Sequence, residues 1–201
     1  MIHEVAHGAM ALRLGDDTAK LAGRLTLNPI KHLDVVGSLL FPLFLFMASS
    51  PIILGWAKPV PYDPTRLYRD PRYGPLRVAL AGPASNIVVA LIVAILIRFG
   101  STIFSPEAIA FLGFIVFLNV LLAVFNLIPV PPLDGSKIIA TFLPPQAAMA
   151  FERIGFLGIF ILLFLLFFTG GLGLIYSLSF AILKFLVGTP GITPFLQLFG
   201  G

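Results

Sequence analysis

Two histidines and a glutamate at the start of the chain have types and a spacing that suit metal chemistry. They form the motif HEVAH, residues 3–7. Positions four apart lie on one face of a helix, so His3 and His7 can offer two imidazole nitrogens to one zinc ion. Glu4 is then a candidate general base for an attacking water. The pattern predicts metal-assisted hydrolysis, and the alternative is a pair of histidines at a membrane interface.

A catalytic zinc site also needs a third protein ligand and an open position. Asp134 is the best candidate, because it follows the apolar stretch 117–132 in a proline-broken setting where an isolated carboxylate is costly. Gly135 beside it allows close approach of the backbone. Asp134 could instead cap the short helix predicted at 135–142, and both roles could hold at once.

The composition is that of a membrane protein. Of the 201 residues, 58% are hydrophobic and 11% are charged, and the mean hydropathy is +1.02. No cysteine is present, which excludes disulfides and thiolate metal sites. The net charge of +4 comes from basic residues in short loops, so it indicates membrane orientation and not binding to nucleic acid. We therefore expect the lipid bilayer, and no nucleic acid, as a partner.

The apolar stretches predict an all-α polytopic membrane protein. We expect a bundle of about 4–6 transmembrane helices with a small re-entrant strand or hairpin element, all in one membrane-embedded domain over residues 1–201. Residues 1–14 should form the helix that carries the histidines. Spans are predicted at 76–98, 107–128 and 154–169, and residues 172–187 could form a further span or an interfacial helix.

The segment 35–56 is apolar but is interrupted by Pro42 and Pro51. Basic residues flank it on both sides: Arg13, Lys20, Arg24 and Lys31 before it, and Lys58, Arg66, Arg69, Arg72 and Arg77 after it. The positive-inside rule places both flanks in the cytoplasm, which requires a re-entrant segment. The alternative is that 35–56 simply spans. The re-entrant topology predicts a multi-pass protein of the cell membrane with its active site towards the cytoplasm, and with His7 and Asp134 at the same depth.

Five motifs together resemble the site-2 protease family of intramembrane zinc metalloproteases, in particular its small prokaryotic members without a PDZ domain. They are HEVAH at 3–7, GRLTLNPIKHLD at 23–34, GWAKPVP at 55–61, AGPASN at 81–86 and NLIPVPPLDG at 126–135. The resemblance covers nearly all of the chain. It implies one zinc ion per chain, held by His3, His7 and Asp134, with Glu4 as the base.

The resemblance also implies a substrate that is a transmembrane protein, cleaved in or near its membrane segment as part of regulated intramembrane proteolysis. Asn126 is similar to an asparagine that the family places near the site, where its amide could bind a substrate carbonyl or an oxyanion. It could equally make an interhelical hydrogen bond. Trp56 lies in a stretch that resembles the family's embedded strand, which pairs with unwound substrate, although it could be only an interface anchor. Gly82, Ala84 and Ser85 suggest close helix packing.

The start of the chain departs from the family pattern, because members usually have a further span before the first histidine. We expect the sequence to be a fragment or to begin at an internal methionine, without its N-terminal transmembrane helix. An alternative function is therefore a catalytically silent, truncated relative that binds membrane helices. A metal transporter would require further intramembrane carboxylates or histidines, which the sequence lacks. Whether a separate adaptor protein regulates the chain is unknown from the sequence.

Overall fold

The computed structural model describes residues 1–49, 55, 57–155 and 157–199. Every regular element within these residues is helical, which confirms the predicted all-α membrane fold. The chain divides into two compact units, residues 1–82 and 83–201. Much of the stretch predicted to form an embedded strand, including Trp56, lies outside the described residues, and the adjoining residues 57–60 have no regular structure.

The first unit is built from short helices and ordered loops. Its α-helices are α1 (Ile2–Leu14), α2 (Thr18–Leu21), α3 (Phe41–Met47) and the first residues of α4 (Gly74–Gly100). Single helical turns at Pro29–His32 and Pro64–Arg66 are 3-10 in type, and a π-helical turn at Val35–Leu40 leads into α3.

Helix α1 ends at Gly15, which adopts the left-handed conformation with φ 116°. A residue without a Cβ atom tolerates this conformation, and the Gly15 N–H closes the helix on the Leu12 carbonyl at 3.2 Å. A side chain at Gly15 would also collide with the Tyr68 ring, since its Cβ would lie 2.3 Å from the ring carbon Cε1. The end of α1 is therefore fixed both by its own backbone and by the loop that carries Tyr68.

Asp16 joins the end of α1 to a loop far along the chain. Its side chain is fully buried and accepts hydrogen bonds from the Asp63 N–H at 2.7 Å and from the Thr18 N–H at 3.0 Å. Burial raises the pKa of Asp16, but the hydrogen bonds from Thr18 and Asp63 outweigh it, so the pKa of this carboxyl lies below its ordinary value. The Arg69 N–H adds a bond of 3.1 Å to the Leu14 carbonyl.

The π-helical turn and α3 make one short apolar helix over Val35–Met47. Thirteen residues at 1.5 Å each reach about 20 Å at most, less than the roughly 30 Å hydrocarbon core of a bilayer. This helix alone is too short to cross a membrane. Residues 50–54 and 56 lie outside the described residues, so the re-entrant path of 35–56 stays a prediction.

The second unit contains the long apolar helices. After α4 come α5 (Pro106–Asn126), α6 (Gly135–Phe142), α7 (Pro145–Arg153), α8 (Leu157–Phe168) and α9 (Gly171–Phe199). In the described part of the chain, α4, α5 and α9 are long and apolar enough to span a bilayer, and α7 and α8, bent by 74°, would add a fourth span if counted as one. The predicted spans at 76–98 and 107–128 fall on α4 and α5, and that at 154–169 falls largely on α8.

The predicted segment 172–187 falls on the first part of α9, and a second helical part follows an interruption of the helix at Gly188. Gly188 has φ 64° and ψ −167°, which breaks the helical path. The Arg98 side chain donates to the carbonyls of Phe185 and Leu186, both at 2.6 Å. These are carbonyls that a helix interruption deprives of their usual partners. The charge near the end of α4 thus has a structural role.

Candidate metal centre

Helix α1 brings His3 and His7 together on one face. Their Nε2 atoms lie 3.0 Å apart, and the ring planes are nearly perpendicular, with centroids 4.6 Å apart. Both side chains are half-buried. The four-residue spacing thus places two imidazole nitrogens side by side at one point of the first unit.

The Val78 carbonyl in α4 fixes which tautomer a neutral His7 ring adopts. Its oxygen lies 2.7 Å from the His7 Nδ1 atom. A carbonyl oxygen can only accept a hydrogen bond, so Nδ1 carries the proton and the Nε2 atom of the neutral ring keeps its lone pair. Metal-binding histidines are commonly oriented in this way by a bond from the other ring nitrogen.

The histidine pair fits a zinc ion. Two nitrogens bound at 2.0–2.1 Å to a tetrahedral zinc lie about 3.3 Å apart. The observed separation of 3.0 Å is close to that edge length. With the His7 lone pair directed at the His3 nitrogen, a cation between the two rings would replace a contact that otherwise requires a shared proton.

Glu4 is held by the backbone of another segment. One carboxylate oxygen, Oε2, accepts a hydrogen bond of 3.0 Å from the Val60 N–H. Gly8, one turn further along α1, faces the same segment, because a Cβ there would lie 2.8 Å from the Val60 Cγ1 atom. The candidate base is thus oriented by a bond that the motif HEVAH alone does not reveal.

Gly82 in α4 lies against the two imidazole rings. A Cβ atom at this position would come within 2.4 Å of the His7 Nε2 atom and 2.6 Å of the His3 Cε1 atom. The glycine is therefore needed for the close approach of α4 to the histidine pair. In the sequence, the small residues Gly82, Ala84 and Ser85 indicate only close helix packing.

Asp134 belongs to the second unit, where it precedes α6. It occupies the N-cap position, but its carboxylate makes no side-chain capping bond to the helix. The capping role that the sequence left open is therefore not the one its carboxylate plays here. Gly135 is essential for the local turn, since a Cβ there would lie 2.2 Å from the Leu127 carbonyl oxygen.

The two residues with a predicted role in substrate binding are Asn126 and Trp56. The Asn126 amide donates to the Leu122 carbonyl of its own helix at 2.9 Å, in place of the interhelical bond considered above. A substrate role for Asn126 stays a prediction, as does that of Trp56, which lies outside the described residues. His32 is buried and bonds through Nε2 to the Thr26 carbonyl at 2.7 Å, so it is a structural histidine of its loop.

Comparison with known proteins identifies the family. The sequence pattern of Peptidase family M50 matches residues 97–168. The chain is 40% identical over 173 residues to YwhC of Bacillus subtilis, a proposed zinc metalloprotease, and the aligned region covers 81% of this chain and 74% of YwhC. The chain belongs to peptidase family M50. This membership confirms the resemblance to site-2 proteases and the predicted enzyme class, a zinc metalloprotease.

Two mycobacterial proteins are also similar to the chain. Rip2 of Mycolicibacterium smegmatis, a proposed zinc metalloprotease, is 33% identical over 171 residues, which cover 81% of this chain and 62% of Rip2. Rip2 of Mycobacterium tuberculosis is 33% identical over 152 residues, covering 74% of this chain and 56% of the relative. The chain thus spans less than two thirds of the length of these two relatives. No solved structure matches the chain significantly.

Proposed function

We propose that this M50 protein is an intramembrane metalloprotease that hydrolyses peptide bonds in or near the transmembrane segments of membrane proteins. The observation that carries the proposal is the histidine pair of α1, with Nε2 atoms 3.0 Å apart and the His7 tautomer fixed by Val78. The long apolar helices support a substrate that lies in the bilayer.

His3, His7 and Asp134 are the residues that would hold one zinc ion. Two neutral imidazoles and one carboxylate are a ligand set that catalytic zinc uses, with a position left for water. Zinc held there would supply Lewis acidity towards a peptide carbonyl and an attacking water. Two features support Asp134 as the third ligand. Its side chain is a carboxylate, and it is the sole ionisable residue in the family motif NLIPVPPLDG.

Glu4 would move the proton. With Oε2 occupied by the Val60 N–H, the other oxygen, Oε1, is the one that would take a proton from the attacking water. The same carboxyl group would then protonate the leaving amine as the peptide bond breaks, which returns Glu4 to its starting state. This proton balance requires no other acid or base.

A membrane substrate imposes a further step. A transmembrane helix bonds all of its peptide groups internally, so it must unwind before water can attack. Strand pairing with the stretch before Lys58 would give the unwound backbone new partners. The basic flanks of 35–56 favour cleavage near the cytoplasmic face of the cell membrane.

The test is Glu4→Gln in purified protein reconstituted with single-span reporter proteins that carry Gly or Pro near the cytoplasmic end of the span. We expect zinc to be retained and cleavage to fall by about 10²–10⁴-fold, the range for loss of a general base. Glu107→Gln is the matched control, since Glu107 lies in the exposed first turn of α5, and it should cleave normally. Equal cleavage by Glu4→Gln would exclude the proposed mechanism. A zinc-loaded wild-type protein that cleaves no reporter would instead indicate a silent relative.

A further inference from the structure

The candidate base is oriented by a segment without regular structure, residues 57–63. This segment passes α1, where the Val60 N–H donates to Glu4 and the Asp63 N–H donates to Asp16. Residues 59 and 61 are prolines and have no N–H to donate. The position of Val60 therefore decides whether the Glu4 carboxylate is held.

Arg24 binds the segment 57–63 through hydrogen bonds to its carbonyl groups. Its guanidinium donates to the carbonyls of Lys58 at 2.8 Å and Pro59 at 3.3 Å, and it also donates to the Lys31 carbonyl. The Lys58 N–H in turn donates to the His32 carbonyl at 2.9 Å. Arg24 thus ties the two residues immediately before Val60 to the loop 24–32.

Burying the Arg24 charge costs free energy, which indicates that its hydrogen bonds to the segment 57–63 stabilise the structure. The side chain is only 9% exposed, and no ion pair joins it to a carboxylate within the described ranges. A buried charge without a counter-charge is unfavourable unless strong hydrogen bonds compensate it. A planar guanidinium can reach several carbonyls at once from one position, whereas a lysine ammonium is a compact point charge that lacks this fixed fork.

We propose that Arg24 is a positioning residue for the catalytic base. By holding the carbonyls of Lys58 and Pro59, it keeps the Val60 N–H against the Glu4 Oε2 atom, and so directs Oε1 towards the reacting water. The proposal rests on the proposed function only in taking Glu4 as the base. The contacts that connect Arg24 to Glu4 all lie within the first unit.

The same contacts restrict where a substrate strand could pair. The Lys58 N–H and C=O, the Pro59 C=O and the Val60 N–H are all engaged within the first unit. An extended peptide that used these N–H groups would have to displace the His32 carbonyl from Lys58 or the Glu4 carboxylate from Val60, and at the two carbonyls it would compete with Arg24.

Amide hydrogen exchange tests the positioning without reference to activity. In Arg24→Gln, exchange of the Val60 amide should accelerate at least about tenfold, since a lost hydrogen bond to a charged group changes an equilibrium by this factor or more. The Asp63 amide, which donates to Asp16, is the internal control and should keep its exchange rate. Arg69→Gln is the matched control, because Arg69 also donates to a backbone carbonyl, that of Arg13, at 2.8 Å.

Unchanged exchange at Val60 in a folded Arg24→Gln protein would overturn the proposal. Acceleration at both Val60 and Asp63 would do so too, because it would indicate general loosening of the loop. If Arg24→Gln does not fold, Arg24→Lys replaces it, and an intermediate acceleration at Val60 alone is expected.

A double-mutant cycle tests the catalytic consequence. Val60→Pro removes the N–H that donates a hydrogen bond to Glu4. Arg24→Gln removes the hydrogen bonds that hold the segment 57–63, which contains Val60. Each should lower kcat by about 10–100-fold with zinc content retained. The double variant should be no slower than the slower single variant, because both act through one hydrogen bond. If the fold-loss in kcat of the double variant equalled the product of the two single losses, the two residues would act independently, which would contradict the proposal. Failure of the wild type to cleave would refute the proposed function while leaving the exchange result intact.

Discussion

The interactions that stabilise each unit internally differ between the two units. The first unit buries Asp16, Arg24 and His32, and each bonds to backbone groups that lie far from it in sequence or in neighbouring loops. In the described part of the second unit, the buried polar side chains are uncharged: Asn86, Ser136 and Ser179. Directional hydrogen bonds therefore fix the loops of the first unit, whereas the helices of the second pack mainly through apolar contacts, with the Arg98 bonds to the carbonyls of Phe185 and Leu186 as an exception.

The core of the second unit shows the contrast. It is a cluster of apolar side chains from α4, α5 and α9, including Ile97, Val116, Val120, Leu183 and Val187, all almost fully buried. Such packing tolerates small shifts in side-chain position better than a hydrogen bond does. The candidate base and the histidine pair lie in the unit whose segments are set by directional bonds, where small displacements matter most for catalysis.

Removing Asp16 should give the largest loss of stability. Asp16→Ala leaves the partly buried Asp63 and Thr18 donors without their acceptor, and we expect a loss of about 2–4 kcal/mol in the free energy of unfolding. Unfolding by SDS titration of the detergent-solubilised protein measures it. A loss below about 0.5 kcal/mol would show that hydrogen bonds do not hold the first unit in the way described.

Asp16 also predicts a pH dependence. Its pKa is lower in the folded than in the unfolded state, so its contribution to stability is fully present above the unfolded value, about pH 4, and is lost as the pH falls through the folded pKa. Asp16→Asn keeps the shape and cannot ionise. As the pH falls below about 4, the wild type should lose stability more steeply than this variant, and parallel curves would contradict the assignment.

Gly82→Ala should impair metal binding while leaving the fold intact. The added methyl would lie 2.4 Å from the His7 Nε2 atom, so the two rings must move, and zinc affinity should fall by about 10–100-fold. Alanine favours a helix over glycine, so the stability of α4 should not suffer. Gly173→Ala in α9 is the matched control, because nothing lies within 4 Å of its added methyl. Equal zinc affinity for the two variants would contradict the close approach.

The smallest effect is expected at Ser179 in the second unit. Its side chain is fully buried, and its hydroxyl has no hydrogen-bond partner in the described part of the chain. Ser179→Ala should therefore leave stability unchanged or raise it by up to about 1 kcal/mol. The same SDS titration measures this change, and a clear loss of stability would show that the Ser179 hydroxyl makes a stabilising polar interaction.

The sequence predicts the parts of this protein whose signals are local. Apolar length indicates α4 and α5, and the four-residue spacing indicates the histidine pair of α1. The sequence does not predict the Val78 carbonyl or the Val60 N–H, because backbone groups carry no residue-type signal and their partners lie more than fifty positions away. The predicted segment 172–187 ends where the helical path of α9 breaks at Gly188, but the sequence analysis does not predict the helical part that follows, because its prolines are typical of a helix end.

The most direct test of the central claim is the zinc content of the purified, detergent-solubilised protein and three variants: His7→Ala, Asp134→Ala and Asp17→Ala. Asp17 is the carboxylate control, because it forms an exposed ion pair with Arg66 at 3.0 Å. We predict about one zinc per chain in the wild type and in Asp17→Ala, and less than about a tenth of that in the other two. Full zinc content in Asp134→Ala would show that Asp134 does not bind the zinc ion held by His3 and His7. No zinc in the wild type would contradict the metal centre itself.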